Sequence, residues 1–372
     1  MMAVKVCHMT SVHQPEDGRI FNKECTSLAK EGYEVYLIER GATYKKNGVQ
    51  IIGLGEFKGN RFKRFFKYTR LLYREALKVN ADIYHLHDPE LLPYALKLKR
   101  KGKKVVFDRH EDYVLQISCK SYFPSWFALI ISKLYKLYED YIFNRIDAVI
   151  IPCLRDGKHD LKGRVVTLDN FPLLSELYDH YNPKIDKYER SICYVGSLTK
   201  SRGITEIVKA AYLSNATAYL AGDFNPSEYQ FELEMLPESK AVRYLGKLNR
   251  LQVLDLLQRC SIGLATIHNV GQYNTSDNLP TKCYEYMSLG LPVIFTKAKF
   301  NEQINNKFCF GLCVDAENAN EIASAINYLF NHNEEIRRMG KNGRKAVLEV
   351  FNWEKEKDKL LDLYKSLLLN VN

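Results

Sequence analysis

Three groups of residues in this 372-residue chain have the types and spacing to do chemistry. The first is the turn GSLTKSRG, in which Gly196 ends a strand-like run and Gly203 precedes the apolar-periodic ITEIVKAA. Backbone amides, Lys200 and Arg202 converge there on a helix start, which suits a pyrophosphate because N–H donors, cations and the helix dipole all favour an anion. The second is DNLPTKCYEYMSLG, where Pro280 opens a helix whose N-terminus points at an anion, with Lys282 in its first turn. The third is a set of histidines and charged residues placed after strand-like runs: His13, Asp17 and Arg19, then His87 and Asp88, then His110. His85 and His87 share one strand face and, with Asp88, invite a metal reading. No third ligand is spaced to complete it, so no metal is expected.

Strands and helices must position these groups. Apolar or β-branched runs at 4–10, 34–39, 49–54, 81–87, 104–110, 147–153 and 164–169 alternate with amphipathic stretches such as 22–32, closed by Gly32. After a polar, Pro-containing stretch at 180–191 the rhythm restarts. Strands are predicted at 192–196, 217–222, 242–246, 262–267, 292–296 and 311–315, and helices near 203–213, 250–259, 280–289 and 319–331. Such alternation predicts parallel sheets covered by helices, here two doubly wound α/β domains in tandem with a linker near residue 185. Ligands of open α/β sheets bind beyond the strand carboxyl ends, so two such domains facing one another make a cleft with two halves.

Composition narrows the class. With 46% hydrophobic and 26% charged residues the chain is an ordinary globular protein, not a fibrous or disordered polymer. Lys5 and His8 interrupt any apolar signal core, and the stretch Ser121 to Ser132 is too short for the roughly 20 residues that span a bilayer. Nine cysteines without paired short spacings, with Cys7, Cys153 and Cys193 in predicted strands, read as buried thiols in a reducing cytoplasm. The net charge of +10 sits almost wholly in residues 1–190, pointing to an anionic partner there. Residues 58–78 hold eight Lys or Arg, one acidic residue and five aromatics. Phe62, Phe65, Phe66, Thr69, Leu72, Tyr73 and Ala76 fall on one helical face, either a core face with solvated cations opposite or a helix leaning on anionic lipid. The aromatic-rich 121–143 reads largely as core, with part of it adding apolar contact to the same lipid surface. No nucleic-acid module is found, and nucleic acid is not expected as a partner.

The stretches SVHQPEDGRIFNKECTSLAKEGYEVYLI, DIYHLHDPELLPYALKLKRKGKKVVFDRHEDY, YVGSLTKSRGI and DNLPTKCYEYMSLGLPVIFT, in that order, resemble bacterial glycosyltransferases of family 4, the retaining GT-B group that uses nucleotide-sugar donors. The terminal FNWEKEKDKLLDLYKSLL is similar to that family's last helix, which crosses back onto the first domain. The resemblance implies two Rossmann-like domains facing across a cleft: 1–185 with helix 353–372 for the acceptor, and 186–352 for the donor. It implies hexosyl or N-acetylhexosaminyl transfer from a UDP-sugar to a hydroxyl of a glycan or lipid-linked glycan, as in polysaccharide biosynthesis. The alternative is a GT-B nucleotide-sugar epimerase acting on the donor alone.

The resemblance also assigns residues. Gly196, Ser197, Lys200, Arg202, Asn278, Leu279 and Lys282 surround the donor, Glu285 takes the ribose hydroxyls, and Asp277 faces the sugar. Ser197 stands where the family has a basic residue, with Lys282 as its substitute, and Asp277 stands where it has glutamate. His110 lies beside the reacting sugar, with His13, Asp17, Arg19, His87 and Asp88 on the acceptor side. Catalysis is expected from His110, Arg202, Lys282 and Asp277. No cofactor or divalent ion is expected, and the place of work is the cytoplasm, with peripheral attachment to the inner face of the membrane through 58–78.

Overall fold

The computed structural model describes residues 3–118, 124–152, 164–270 and 278–369. These form two compact units, residues 1–170 with 355–372, and residues 171–354. The boundary thus falls at Asn170, ten residues before the polar stretch at 180–191, because Phe171 and Leu177 already pack into the core of the second unit. The last helix, Trp353–Leu369, lies for most of its length in the first unit.

In the first unit the strands are β1 (Lys5–Met9), β2 (Glu34–Glu39), β3 (Tyr44–Lys46), β4 (Val49–Gly53), β5 (Ile83–Leu86), β6 (Lys104–Asp108), β7 (Ala148–Ile151) and β8 (Arg164–Thr167). They run in the order β3-β4-β2-β1-β5-β6-β7-β8, parallel except for the β3–β4 hairpin. That hairpin was not predicted, since YKK is too short and charged to carry a strand period. The chain order reverses between β1 and β5, so the loops after those strands lie at the switch point where doubly wound sheets bind ligands.

Alternation along β1 explains the chemistry of its two faces. Cys7 and Met9 point into the apolar cluster with Tyr84, Leu86, Leu72 and Leu92. His8 points to the other face, in register with His85 of β5. That face is covered by the helical stretch Ile20–Lys30 and by Tyr364 of the last helix, whose hydroxyl lies 2.8 Å from His85 Nδ1.

The second unit holds β9 (Ser191–Val195), β10 (Thr217–Ala221), β11 (Val242–Gly246), β12 (Ile262–Ala265), β13 (Val293–Thr296) and β14 (Gly311–Val314). The order is β11-β10-β9-β12-β13-β14, all parallel, with the reversal between β9 and β12. The expected helices appear at Ile204–Leu213, Arg250–Arg259, Thr281–Ser288 and Ala319–Asn331. Further helices at Lys299–Phe308 and Asn333–Glu349 had no predicted counterpart.

The basic stretch is helical over Arg61–Val79, but its faces are not as its period suggested. Thr69, Leu72 and Ala76 are buried, whereas Phe62, Phe65 and Phe66 stand in solvent. The helix Ser125–Phe143 corrects the expectation of a core element: Trp126, Leu134 and Leu137 are each more than 60% exposed. Among the described residues no helix is long and apolar enough to cross a membrane. Cys7 and Cys193 are buried free thiols, and Cys153 lies outside the described residues.

Candidate active site

The second unit gathers the donor candidates around β9 and β12. Gly196 follows β9 with φ +135°, and a Cβ there would sit 3.2 Å from Lys282 Nζ, so only glycine admits both the backbone angle and the lysine. Ser197 beside it is exposed. Lys200 to Arg202 form a single 3-10 turn that ends on Gly203, in the left-handed region at φ +71°. A Cβ on Gly203 would collide with the Thr266 carbonyl at 2.1 Å, so this glycine lets the turn close on the loop after β12. His268 of that loop, which the sequence reading passed over, pairs with Glu206 at 3.1 Å and donates its backbone N–H to Ser201.

Lys282 is the central feature. It lies in the first turn of the helix Thr281–Ser288, its side-chain nitrogen is buried with no hydrogen-bond partner among the described residues, and Nζ sits 3.3 Å from the centroid of the Tyr194 ring. Burial, followed by the charge of nearby Arg202, pushes its pKa well below the ordinary lysine range. A buried donor left unpaired costs about 1–3 kcal/mol, so its retention calls for an acceptor that arrives from outside.

Glu285 lies one turn further along the same helix and is held by Arg250, whose NH1 donates to Oε1 at 2.7 Å while NH2 approaches Glu176 at 3.4 Å. Sequence reasoning missed Arg250 and Glu176, because neither lies near Glu285 in the chain. Two assignments need correction. Lys200 is not gathered with Lys282: its ammonium pairs with exposed Glu232 at 2.6 Å. The Leu279 N–H is not open to a donor, since it donates to the Tyr284 hydroxyl, which in turn donates to Asn278 Oδ1. Asp277 lies outside the described residues.

The first unit brings its candidates together too, but mostly as framework. Asp88 is buried and accepts from the Ser11 and Val12 backbone amides and the Thr10 hydroxyl, which pins the loop after β1. Asp17 accepts from the Arg19 and Ile20 amides and lies 3.2 Å from His13. Arg19 is not an acceptor contact as expected: it is buried, forked onto Asp108 at 2.9 and 3.0 Å and bonded to the Leu168 carbonyl. Burial alone would raise Asp108, but Arg19, then His110 and His87, hold its carboxyl well below the usual range. His87 is fully buried, with Nδ1 3.1 Å from His110 Nε2, and burial lowers it to about 4. His13 and His110 remain partly exposed, with ring centroids 4.7 Å apart. The hydrogen bond to Asp17 and the charges of Asp88, Asp17 and Asp108 outweigh the burial of His13 and raise it.

The metal reading of His85, His87 and Asp88 also changes. Asp88 belongs to the β1 loop, but His8 and Glu24 join His85 and His87 within 4.8 Å, the partners that spacing along one strand could not reveal.

With this geometry in place, comparison with known proteins gives the class. The family model for glycosyl transferases group 1 matches residues 179–346, and that for Glycosyltransferase Family 4 matches residues 22–158. The chain is a glycosyltransferase of GT-B architecture. Among solved structures it is similar to sucrose-phosphate synthase of Thermosynechococcus elongatus, with 16% identity, TM-score 0.78, and 98% of this chain and 99% of that one covered. It is also similar to a glycosyltransferase of Rickettsia africae, at 17% identity, TM-score 0.72 and 99% of both chains. A third similar structure is HepE of Anabaena in complex with UDP and glucose, at 12% identity, TM-score 0.70, and 98% of this chain and 100% of that one. No curated protein matches the chain by sequence.

Proposed function

We propose that this glycosyltransferase moves a hexose or N-acetylhexosamine from a UDP-sugar to a hydroxyl of a glycan or lipid-linked glycan, with retention at the anomeric carbon. The observation that carries the reading is Lys282: a buried ammonium without a hydrogen-bond partner among the described residues, on the first turn of a helix and against Gly196. A diphosphate supplies the acceptors that this group lacks. Arg202 lies close enough to depress Lys282, so the two cations share one anion. Glu285, oriented by Arg250, takes the ribose hydroxyls. Uridine is the base chosen because the similar HepE structure holds UDP.

The acceptor hydroxyl attacks the anomeric carbon from the face that the diphosphate leaves, and its proton passes to the departing phosphate oxygen. The new C–O bond forms as the old one breaks, and no protein nucleophile takes part. The protein contributes position and charge: Lys282 and Arg202 stabilise the negative charge growing on the diphosphate, and His110 hydrogen-bonds the reacting sugar or the attacking alcohol. No ion is required to bridge the diphosphate, so transfer continues when chelator removes Mg²⁺ and Mn²⁺ from solution. A complete loss restored by Mg²⁺ or Mn²⁺ overturns that point. Lipid-linked acceptors bring the enzyme to the inner membrane face, where exposed Phe62, Phe65 and Phe66 beside Lys63 and Lys67 meet anionic lipid.

The test is calorimetric titration of UDP into the wild-type protein and Lys282→Met. The wild type binds, and the variant loses binding by about 100-fold or more while keeping its circular dichroism. Equal affinity in both removes the reading.

A further inference from the structure

The second face of the first sheet encloses a set of side chains that the transfer reaction does not use. His8 and His85 are register partners on β1 and β5, His87 lies two residues on along the same face, and Glu24 comes down from the stretch Ile20–Cys25. All four are fully shut off from solvent. One oxygen, Glu24 Oε2, lies 4.0 Å from His8 Nδ1, 3.9 Å from His85 Nδ1 and 3.9 Å from His87 Nε2. His8 Nδ1 and His87 Nε2 are 2.9 Å apart, and the four atoms lie within 4.8 Å of one another.

Among the described residues no donor is aimed at either oxygen of Glu24, whose carboxyl reaches Asp108 only if it carries a proton, and His85 Nε2 has no partner. Arg19 Nε is 3.0 Å from the other Glu24 oxygen, but its N–H is directed at Asp108. Three imidazoles converging on an unbonded buried carboxylate oxygen are costly unless something binds at their centre.

We propose that His8, Glu24, His85 and His87 hold a divalent transition-metal ion, zinc foremost, inside the first unit. Three imidazole nitrogens and one carboxylate oxygen suit Zn²⁺, whereas Mg²⁺ and Ca²⁺ take oxygen ligands. Zinc with bonds of about 2.0–2.1 Å sets tetrahedral ligand atoms roughly 3.4 Å apart, so the pairs at 2.9, 3.9 and 4.0 Å move to that spacing by roughly half an ångström on binding. The set is closed, with four protein ligands, so the ion ties β1, β5 and the 20–25 segment together rather than meeting substrate.

The surroundings supply outer hydrogen bonds for two of the three histidines, His87 and His8. His87 Nδ1 faces His110 Nε2 at 3.1 Å and Asp108 at 3.6 Å, and His8 Nε2 faces the Tyr364 hydroxyl at 3.4 Å. On binding, His85 Nδ1 gives its lone pair to the ion, and Tyr364 accepts from His8 Nε2–H instead. Ligation through Nε2 leaves His87 with a proton on Nδ1, which it donates to His110 Nε2. The ion thereby fixes the tautomer of His110, a consequence that rests on the function proposed above, whereas the binding itself does not.

Elemental analysis of the full chain, purified without chelator and reconstituted with Zn²⁺, is expected to give one zinc per chain. Substitution with Co²⁺ is expected to give the visible bands of a four-coordinate centre, and Zn²⁺, not Mg²⁺, is expected to raise Tm of stripped protein. Glu24→Gln and His85→Ala lose the bands and the Tm response, while UDP binding in the second unit persists in any variant that folds. A wild type that takes up no metal, a Tm response equal in both variants, or one given as well by Mg²⁺ overturns the proposal. Because the measurements read metal and not transfer, their failure leaves the donor-site reading standing, and failure of UDP binding leaves this one standing.

Discussion

Two of the buried cations among the described residues, Arg19 and Lys282, are treated in opposite ways. Arg19 in the first unit is forked onto Asp108, approaches Glu24 and bonds the Leu168 carbonyl. Lys282 in the second unit meets the face of Tyr194 and, among the described residues, has no hydrogen-bond partner. A paired buried charge holds architecture together, and an unpaired one is a cost carried for a ligand. Burial alone, which the two share, does not separate structure from function; the presence or absence of a partner does.

The sharpest way to break this contrast is to remove both cations in turn. Arg19→Met leaves Asp108 buried without its cation and is expected to cost about 3–5 kcal/mol, read as a lowered denaturation midpoint. Lys282→Met is expected to do the reverse, raising Tm by a few degrees while transfer falls by about 10²–10³. A destabilised Lys282→Met, or a stable Arg19→Met, ends the comparison. Arg202→Ala and Glu285→Ala should also lower transfer by orders of magnitude with the fold intact, and wild-type turnover in both refutes the site.

Acidity sharpens it further. Because burial and Arg202 hold Lys282 below its ordinary pKa, the unfolded chain binds the extra proton, and this group's contribution to the free protein's stability rises with pH through that window. A bound diphosphate favours the charged amine, so UDP binding takes up a proton and tightens as pH falls through the same window. Calorimetry in buffers of different ionisation enthalpy measures that uptake, and a zero uptake contradicts it. The smallest expected effect is at Arg250: Arg250→Met should raise the KM for the donor several-fold with little change in kcat, since Arg250 only orients Glu285.

Much of this was legible in the sequence because parallel strands buried on both faces announce themselves. VKVCHM, ICYVG and PVIFT were read within a residue or two of their observed ends. Gly196, Lys282 and Glu285 were singled out through the motifs that hold them, and Gly196 and Lys282 lie side by side in the structure. What escaped was whatever depends on contacts between distant segments. Arg250 meets Glu285 across 35 positions, Glu24 meets His8 and His85 only after β1 and β5 pair, and Tyr364 reaches His85 across 279 positions. The exposed Trp126 and Leu137 were misjudged for a related reason: hydrophobic residue types do not say whether another layer will cover them.

The last helix has a consequence for synthesis. The first unit is split in the chain, with residues 1–170 made first and residues 355–372 only after the entire second unit. Until Tyr364 and its neighbours leave the ribosome, the sheet face bearing His8 and His85 lacks the part of its cover that the last helix supplies, so the half of the protein translated earliest is the last able to finish folding.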